Sequence, residues 1–404
     1  MSRTVAIVGA GIGGLSAALS LAQQGFAVRV LEQASALGEI GAGIQLSPNC
    51  TRVLFDLGLE APLRAVAFYP QGGEMRSWRS GKVLSATEFG ARLEAQTGFP
   101  YLHVHRADLI RVLAQAVAEH PDIDLNLGAC AVGFDIEDRA RVEVRDEADG
   151  AATSTTHTAD VLVGADGIRS VVQAHLFGAV PPRFTGNVAW RALVPTDALP
   201  AGMVRPMATA WWGPGAHFVH YYVRGGELVN CVCVIEKSGW EIESWTERGE
   251  HAELQADFAG WHADVRTLID RADRDALYKW ALFDRSPLPS WGRGCATLLG
   301  DACHPTLPFM AQGAAMAIED GAVLARCLQA ADTPLEFESQ LHKYQALRHA
   351  RTARVQSGSR RNAGVFHMRG WQAWVRNLGL KIARPTGGLT SLFGYDALTA
   401  HLSS

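Results

Sequence analysis

A chain of 404 residues is longer than one hydrophobic core usually supports, so more than one domain is expected. Its 48% hydrophobic and 19% charged residues are ordinary for a soluble globular protein, and a net charge of −4 gives no electrostatic case for a nucleic-acid partner. No apolar stretch reaches the roughly 18 residues that span a bilayer, a signal peptide has no room before the first strand, and seven scattered cysteines suit a reducing, cytoplasmic setting.

The first forty residues organise the chain. An apolar run, Val5-Ala6-Ile7-Val8, breaks at Gly9-Ala10-Gly11-Ile12-Gly13-Gly14; a small-residue amphipathic run follows, and a second apolar run ends in Glu32. That order predicts a strand, a tight turn, a helix and a second, parallel strand. Gly9 allows the turn, Gly11 lets backbone approach a pyrophosphate, and Gly14 lets the helix pack closely on the sheet. The helix start then offers N–H groups and the positive end of its dipole to a diphosphate. Glu32 sits where a carboxylate accepts both hydroxyls of an adenosine ribose. Dinucleotide binding is the expected role.

Glycines at 38, 41 and 43 suggest backbone close to a flat ligand, with a flexible loop as the equal alternative. Residues 51–63 predict a helix broken near Gly58. Residues 66–100 alternate aromatics and glycines with polar residues, the pattern of antiparallel strands and turns. A short strand then leads through His105-Arg106 into a helix. Residues 123–144 read as a β-meander and 146–158 as a solvated hairpin loop. Val161-Leu162-Val163-Gly164 predicts a buried parallel strand, with Asp166-Gly167 turning into a helix near Ser170.

From 184 to 284 the chain is strand-like and aromatic, interrupted by a helix over 252–270. Cys231 and Cys233 share one face of a strand, with Cα atoms roughly 6.5–7 Å apart, at the limit for a disulfide, and are expected as packing thiols. A further buried strand ends in Gly300-Asp301, a long helix runs from Gln312 to Leu328, and a basic helix covers 336 to about 363. The expected division is a discontinuous first domain (1–66, 101–180 and 285–335), a second built from 67–100 and 181–284, and a helical segment over 336–404.

Three motifs thus stand in fixed order: Gly9 to Gly14, Asp166-Gly167 before a helix, and Gly300-Asp301-Ala302-Cys303-His304-Pro305. Together they resemble the class A FAD-dependent aromatic hydroxylases, the group typified by para-hydroxybenzoate hydroxylase, over nearly the whole chain. The resemblance implies an α/β fold, with a Rossmann-like FAD-binding domain interleaved with a mainly antiparallel β-sheet substrate domain and followed by C-terminal helices. It implies bound FAD, held by Gly9, Gly11, Gly14, Glu32, Gln33, Gly43, Arg106, Asp166, Gly167, Asp301, Pro305, Gln312 and Gly313. Asp301 would contact the ribityl chain, Arg106 would reach toward FAD, and the segment from His304-Pro305 to Gly313 would pass along the flavin ring. NADH or NADPH is a transient co-substrate, with NADH favoured, because only one dinucleotide turn exists.

The implied chemistry is reduction of the flavin, capture of dioxygen as a C4a-hydroperoxyflavin and transfer of oxygen to an ionised hydroxy-aromatic ring. It needs no metal, and no ligand cluster of metal spacing is visible in the sequence. The implied partners are a small aromatic acid and dioxygen, and a homodimer is compatible with the resemblance. The branch that fits best holds salicylate hydroxylase, 3-hydroxybenzoate 6-hydroxylase and 6-hydroxynicotinate 3-monooxygenase. His217 and Tyr221 match pocket residues of the second of these, and their spacing puts both on one face of a strand. Both are the candidate catalytic residues; Arg191, His217, Tyr221 and Pro305 are the candidate substrate contacts. Pro308 stands where that hydroxylase has a glutamine, which places salicylate slightly ahead. Two other classes compete. A flavin halogenase would carry Trp-x-Trp-x-Ile-Pro, which Trp211-Trp212-Gly213-Pro214 does not match. A non-catalytic FAD-binding protein would not require all three motifs.

Overall fold

A computed structural model describes residues 3–38, 43–136, 139–146, 153–237, 239, 247–382 and 391–400. It is a mixed α/β structure. Strands Gly292–Arg293, Ala296–Leu298, Val161–Gly164, Thr4–Val8, Ala27–Glu32 and Ile123–Leu127 lie side by side in that order, all parallel except the first. The apolar runs of Ala296–Leu298, Val161–Gly164 and Thr4–Val8 are buried on both faces, as parallel strands covered by helices require.

Helix Ile12–Gln23 packs against helix Gly313–Leu328 through small residues. A Cβ on Gly321 would lie 2.9 Å from Ala17 Cα, and one on Gly13 would lie 2.8 Å from Leu299 and 3.2 Å from Ala317. That closeness brings both helix starts to one end of the sheet.

The second large sheet has seven strands, in the order Tyr278–Asp284, Arg183–Pro195, Leu228–Glu236, Ala216–Val223, Met207–Gly213, Gly72–Ser77 and Val83–Glu88. Gly72–Ser77 joins Met207–Gly213 in parallel, so residues far apart in the chain build one surface. The long helix Pro334–Phe366, started by a Thr333–Glu336 capping box, runs between the sheets' layers of helices and the loop at 304–312.

Four expectations are corrected. Gly90–Thr97 is a helix, where strands and turns were expected; its residues (Ala, Arg, Leu, Glu, Gln) are good helix formers. Thr153–Ala159 is a strand rather than part of a loop, because its threonines favour the pleated, half-solvated third strand of a small antiparallel sheet. Ile123–Leu127 leaves the expected meander and joins the parallel sheet beside Ala27–Glu32. The single helix over 252–270 is two, His251–Asp257 and Ala263–Asp270, parted by a turn in which Gly260 takes φ 78°.

Candidate active site

Strand register gathers the three motifs. Val8 pairs with both Leu31 and Gly164, and Gly164 with Leu298. The four strands are parallel, so the chain leaves them along one edge, at Gly9, Glu32, Asp166 and Gly300-Asp301. Parallel α/β sheets bind ligands in the crevice outside those carboxyl ends. A cavity of about 350 Å³ opens there and continues onto the face of the seven-stranded sheet. Gly11, Arg106, Asp301 and Gly313 line it from one side, and Arg191, His217 and Tyr221 from the other.

At the first motif each glycine has a separate reason. Gly9 takes φ 103°, and a Cβ there would lie 2.5 Å from the Ala165 carbonyl oxygen. A Cβ on Gly14 would lie 1.9 Å from the Gly9 carbonyl oxygen, whereas one on Gly11 would meet nothing within 4 Å. Helix Ile12–Gln23 has no side-chain cap and no acid in its first turn, which leaves its N–H groups for an anion. Glu32 accepts from the backbone N–H of Ala10 at 2.8 Å and of Ala34 at 2.9 Å, one bond per oxygen. Each oxygen keeps capacity for a hydroxyl donor. Gln33, the next residue, is exposed.

At the third motif, Gly300 takes φ 63° and donates its N–H to Asp320 Oδ2 at 3.1 Å. Asp301 opens into the cavity. Poor hydration in the deep cleft raises its carboxyl above the usual range, while His304 and Arg106 pull it down. Arg106 begins helix Arg106–Glu119; burial lowers its guanidinium's pKa and Asp301 offsets part of that. Helix Gly313–Leu328 starts against the cavity, with Gly313, Ala314 and Ala317 on its wall.

An open face over Gly11, two helix starts and the Asp301–Arg106 pair converge on one elongated cavity, a donor set that fits FAD with its anionic diphosphate.

Three predicted contacts also have protein partners, and of these Gly43 and Gln312 still line the cavity. Asp166 does not line the cavity: its Oδ2 accepts from Val171 N at 2.7 Å and Val172 N at 3.3 Å, holding the start of the next helix, while Gly167 does face the cavity. The Gln312 amide is buried, donating to Ser47 Oγ at 3.0 Å and accepting from Asn49 Nδ2 at 3.1 Å. Gly43 approaches a flat group, but a protein one. A Cβ there would lie 2.7 Å from both the Tyr221 ring and Asn230 Cγ. Glu39 and Gly41, in the same loop, lie outside the described residues.

On the sheet face, His217, Val219 and Tyr221 alternate into the cavity. The Tyr101 hydroxyl donates to Gln45 Oε1 at 2.7 Å, so the Gln45 amide turns its NH₂ to the Tyr221 oxygen. Tyr221 is then left to donate its own O–H into the cavity. Arg191 lies over Trp280, its guanidinium 4.3 Å from the ring centroid. Burial and then Arg106 push its pKa down to about 9, with Tyr221 opposing. Two guanidiniums facing a poorly hydrated space attract a carboxylate. Pro305 lines the cavity, its carbonyl tied to Gln356 Nε2 at 2.9 Å.

His217 is buried between the Phe309 and Phe366 rings, and its Nδ1 lies 2.8 Å from His367 Nε2. Burial, then His367, holds its pKa well below the usual histidine range. A neutral imidazole can accept a proton.

The most heavily built part of the site escaped the sequence reading. Arg348, fully buried, donates from Nε to Asp320 Oδ1 at 2.7 Å and pairs with Glu319 at 2.7 Å. Asp320 is also 2.5 Å from His304 Nε2, and Glu319 accepts from Arg351 and Asn49. The one available signal was two adjacent acids in an apolar helix, which demand buried bases. The fold also brings Cys303, His304 and Asp320 within 4.8 Å, a grouping that linear spacing did not reveal. Its groups are already committed: Asp320 to His304 and Arg348, and Cys303 Sγ to the Gly300 carbonyl at 3.4 Å, with burial pushing the thiol's pKa up. It is a hydrogen-bonded cluster anchored by the Asp320–Arg348 pair.

The model of FAD binding domains matches residues 2–359. The chain belongs to the class A flavin hydroxylases. It is 39% identical, over 89% of its own length and 91% of the relative's, to a 6-hydroxynicotinate 3-monooxygenase of Pseudomonas fluorescens. With a 3-hydroxybenzoate 6-hydroxylase of Polaromonas naphthalenivorans it shares 37% identity over 92% and 90% of the two chains. Among solved structures, a salicylate hydroxylase–substrate complex superposes with a TM-score of 0.80 at 26% identity, covering 98% of this chain and 96% of that one. The protein is an FAD-dependent aromatic monooxygenase. Among the described residues, no helix is long and apolar enough to cross a membrane.

Proposed function

We propose that the enzyme hydroxylates a monocyclic aromatic carboxylate whose ring hydroxyl lies meta or para to the carboxylate, with 6-hydroxynicotinate first and 3-hydroxybenzoate next. The observation that carries this is the placement of Arg191 and His217 on one cavity wall but on different strands. Leu228–Glu236 lies between them and the register offsets them by two residues, so two strand spacings and that offset put their backbones roughly 12 Å apart. A carboxylate at Arg191 and a ring hydroxyl at His217 suit a substrate whose two groups diverge. In salicylate they are adjacent and bond to each other, so the earlier preference for salicylate gives way, in agreement with the names of the 39% and 37% relatives.

FAD, when bound, supplies the activation of dioxygen for oxygen transfer to the ring. The residues to hold it are Gly11, the Ile12–Gln23 helix start and Glu32 at the ADP end, and Arg106, Asp301 and Gly313 at the flavin end. NADH is the proposed reductant, visiting without a nucleotide turn of its own. His217 takes the proton from the ring hydroxyl, which makes the ring electron-rich, and Tyr221 donates to the substrate.

The test is oxygen and NADH consumption by FAD-loaded enzyme with 6-hydroxynicotinate, 3- and 4-hydroxybenzoate and salicylate, with products identified by mass. Coupled to NADH loss, the expected product is one oxygen heavier from 3-hydroxybenzoate, or, where oxygen enters the ring carbon that bears the carboxylate of 6-hydroxynicotinate, a dihydroxypyridine released together with CO2. Peroxide alone from every ring would overturn the substrate class; a salicylate product would overturn the divergent-group argument.

A further inference from the structure

We propose that His367 and Glu236 form a proton exit path that carries the substrate's hydroxyl proton from His217 to solvent. The inference rests on the reading of His217 as the acceptor of that proton. His217 and His367 are 3% and 4% exposed, whereas the Glu236 side chain is 44% exposed, so the chain of groups leads from cavity to surface. His217 Nδ1 stands 2.8 Å from His367 Nε2, and His367 Nδ1 stands 3.2 Å from Glu236 Oε1. Both contacts are within hydrogen-bond reach, and His367 uses one nitrogen toward His217 and the other toward Glu236.

The surroundings explain why the proton leaves. Burial, and then the neighbouring His367, oppose an imidazolium at His217. At the far end burial opposes a proton on His367, Glu236 offsets part of that, and Arg369 and Arg376 oppose it further. Charge is therefore disfavoured at every station except the carboxylate.

The backbone is fixed to suit. His367 follows the last turn of helix Pro334–Phe366. Its carbonyl accepts from Gly215 N at 3.0 Å, and Arg376 donates to the carbonyls of Val365 at 2.7 Å and Phe366 at 2.9 Å. Arg369 holds Glu236 Oε2 at 2.6 Å, which leaves Oε1 for His367.

The proton balance closes in three transfers within the protein and a fourth in which the Glu236 O–H bond breaks and water takes the proton. The substrate O–H bond breaks as the proton joins His217 Nε2. The Nδ1 proton of His217 passes to His367 Nε2, and the Nδ1 proton of His367 passes to Glu236 Oε1. One proton enters from the ring and one leaves to water, with no change in electrons. The reverse sequence returns a proton to the product oxygen.

The experiment mixes FAD-loaded enzyme with 6-hydroxynicotinate or 3-hydroxybenzoate in weakly buffered solution and follows a pH indicator. Wild type is expected to release about one proton per ring bound. His367→Gln keeps FAD and binds the ring within about threefold of wild type, yet releases the proton at least tenfold more slowly. Glu236→Gln, at a half-exposed position, slows release by at least threefold. Wild-type release rates in either variant overturn the path. The His217 reading fails separately: if His217→Ala releases protons and hydroxylates like wild type, that residue is not the acceptor and the path falls with it.

Discussion

Gly11 and Gly14 lie three residues apart in one motif, and the structure separates what each does. A Cβ on Gly14 would sit 1.9 Å from the Gly9 carbonyl oxygen, against an ordinary carbon–oxygen contact of about 3.4 Å. Gly14→Ala must therefore open the turn by about 1.5 Å, against strand ends that are fully packed. Overpacking of this kind costs about 1–3 kcal/mol or more, and it falls on the protein itself, with or without FAD. A Cβ on Gly11 meets nothing within 4 Å and points into the cavity. Gly11→Ala should leave the FAD-free protein within about 1 kcal/mol of wild type, the scale of exchanging a glycine N-cap for alanine. It instead fills space the diphosphate needs, and a loss of about 1.4–3 kcal/mol in binding lowers FAD affinity roughly tenfold to a hundredfold. The assay is thermal unfolding of FAD-free protein beside FAD titration by flavin fluorescence. Gly14→Ala should shift the unfolding midpoint, and Gly11→Ala the dissociation constant alone. Wild-type FAD affinity in Gly11→Ala would refute the assignment of that open face to the cofactor.

Arg348→Met leaves Glu319 and Asp320 without their shared base. Breaking a buried pair this way costs about 3–5 kcal/mol, which should appear as a lower unfolding midpoint and weaker FAD retention, since Asp320 also holds Gly300. An unchanged midpoint would count against it. Acid sensitivity should begin early. Burial lowers His103 and His220 to about 3, so below pH 6.5 the unfolded chain binds protons that the folded protein refuses. Each then removes about 1.4 kcal/mol of stability per pH unit as pH falls from about 6.5 toward 3, whereas the depressed Asp320, at about 2, loses its contribution only below about 4. Urea midpoints should fall between pH 7.5 and 5.5; a flat profile would contradict the neutral burial of these rings. Arg191→Met should weaken binding of the aromatic carboxylate about tenfold to a hundredfold with FAD affinity unchanged, the scale of one or two charged hydrogen bonds. Equal binding would move the carboxylate elsewhere.

The parallel sheet and its three strand-end motifs were legible because their causes are local. A glycine that must take positive φ, or that must let a helix approach, cannot be replaced silently, and buried parallel strands read as continuous apolar runs. The alternation of His217 and Tyr221 was legible for the same reason. What the sequence hid depends on contacts between distant segments. Gly43 is a glycine because Tyr221 and Asn230, nearly two hundred positions later, lie against it. Asp166 looked like a cofactor ligand because its position in the motif cannot show which way a carboxylate turns; here it turns to the helix start. Thr153–Ala159 looked like loop because a polar strand with one solvated face lacks the apolar alternation that marks a strand.

Helix Pro334–Phe366 is the least legible element and the one that ties the site together. Its amphipathic pattern is weak because its buried face is partly polar, and that polarity has work at successive levels of the cavity. Arg348 and Arg351 neutralise the two acids behind the flavin end. Further along, Gln356, Ser359 and Asn362 donate to the carbonyls of Pro305, Leu307 and Phe309 at 2.9, 2.9 and 3.3 Å. One face of the helix thus satisfies alternate carbonyls of the very loop that lines the cavity. That loop has little regular structure of its own, and unsatisfied buried carbonyls would cost it its shape. At the helix end His367 meets His217. A segment that read only as a basic helix therefore sets both the loop along the cavity and the histidine proposed as the base, so substitutions along its buried face should reach cofactor and substrate binding together.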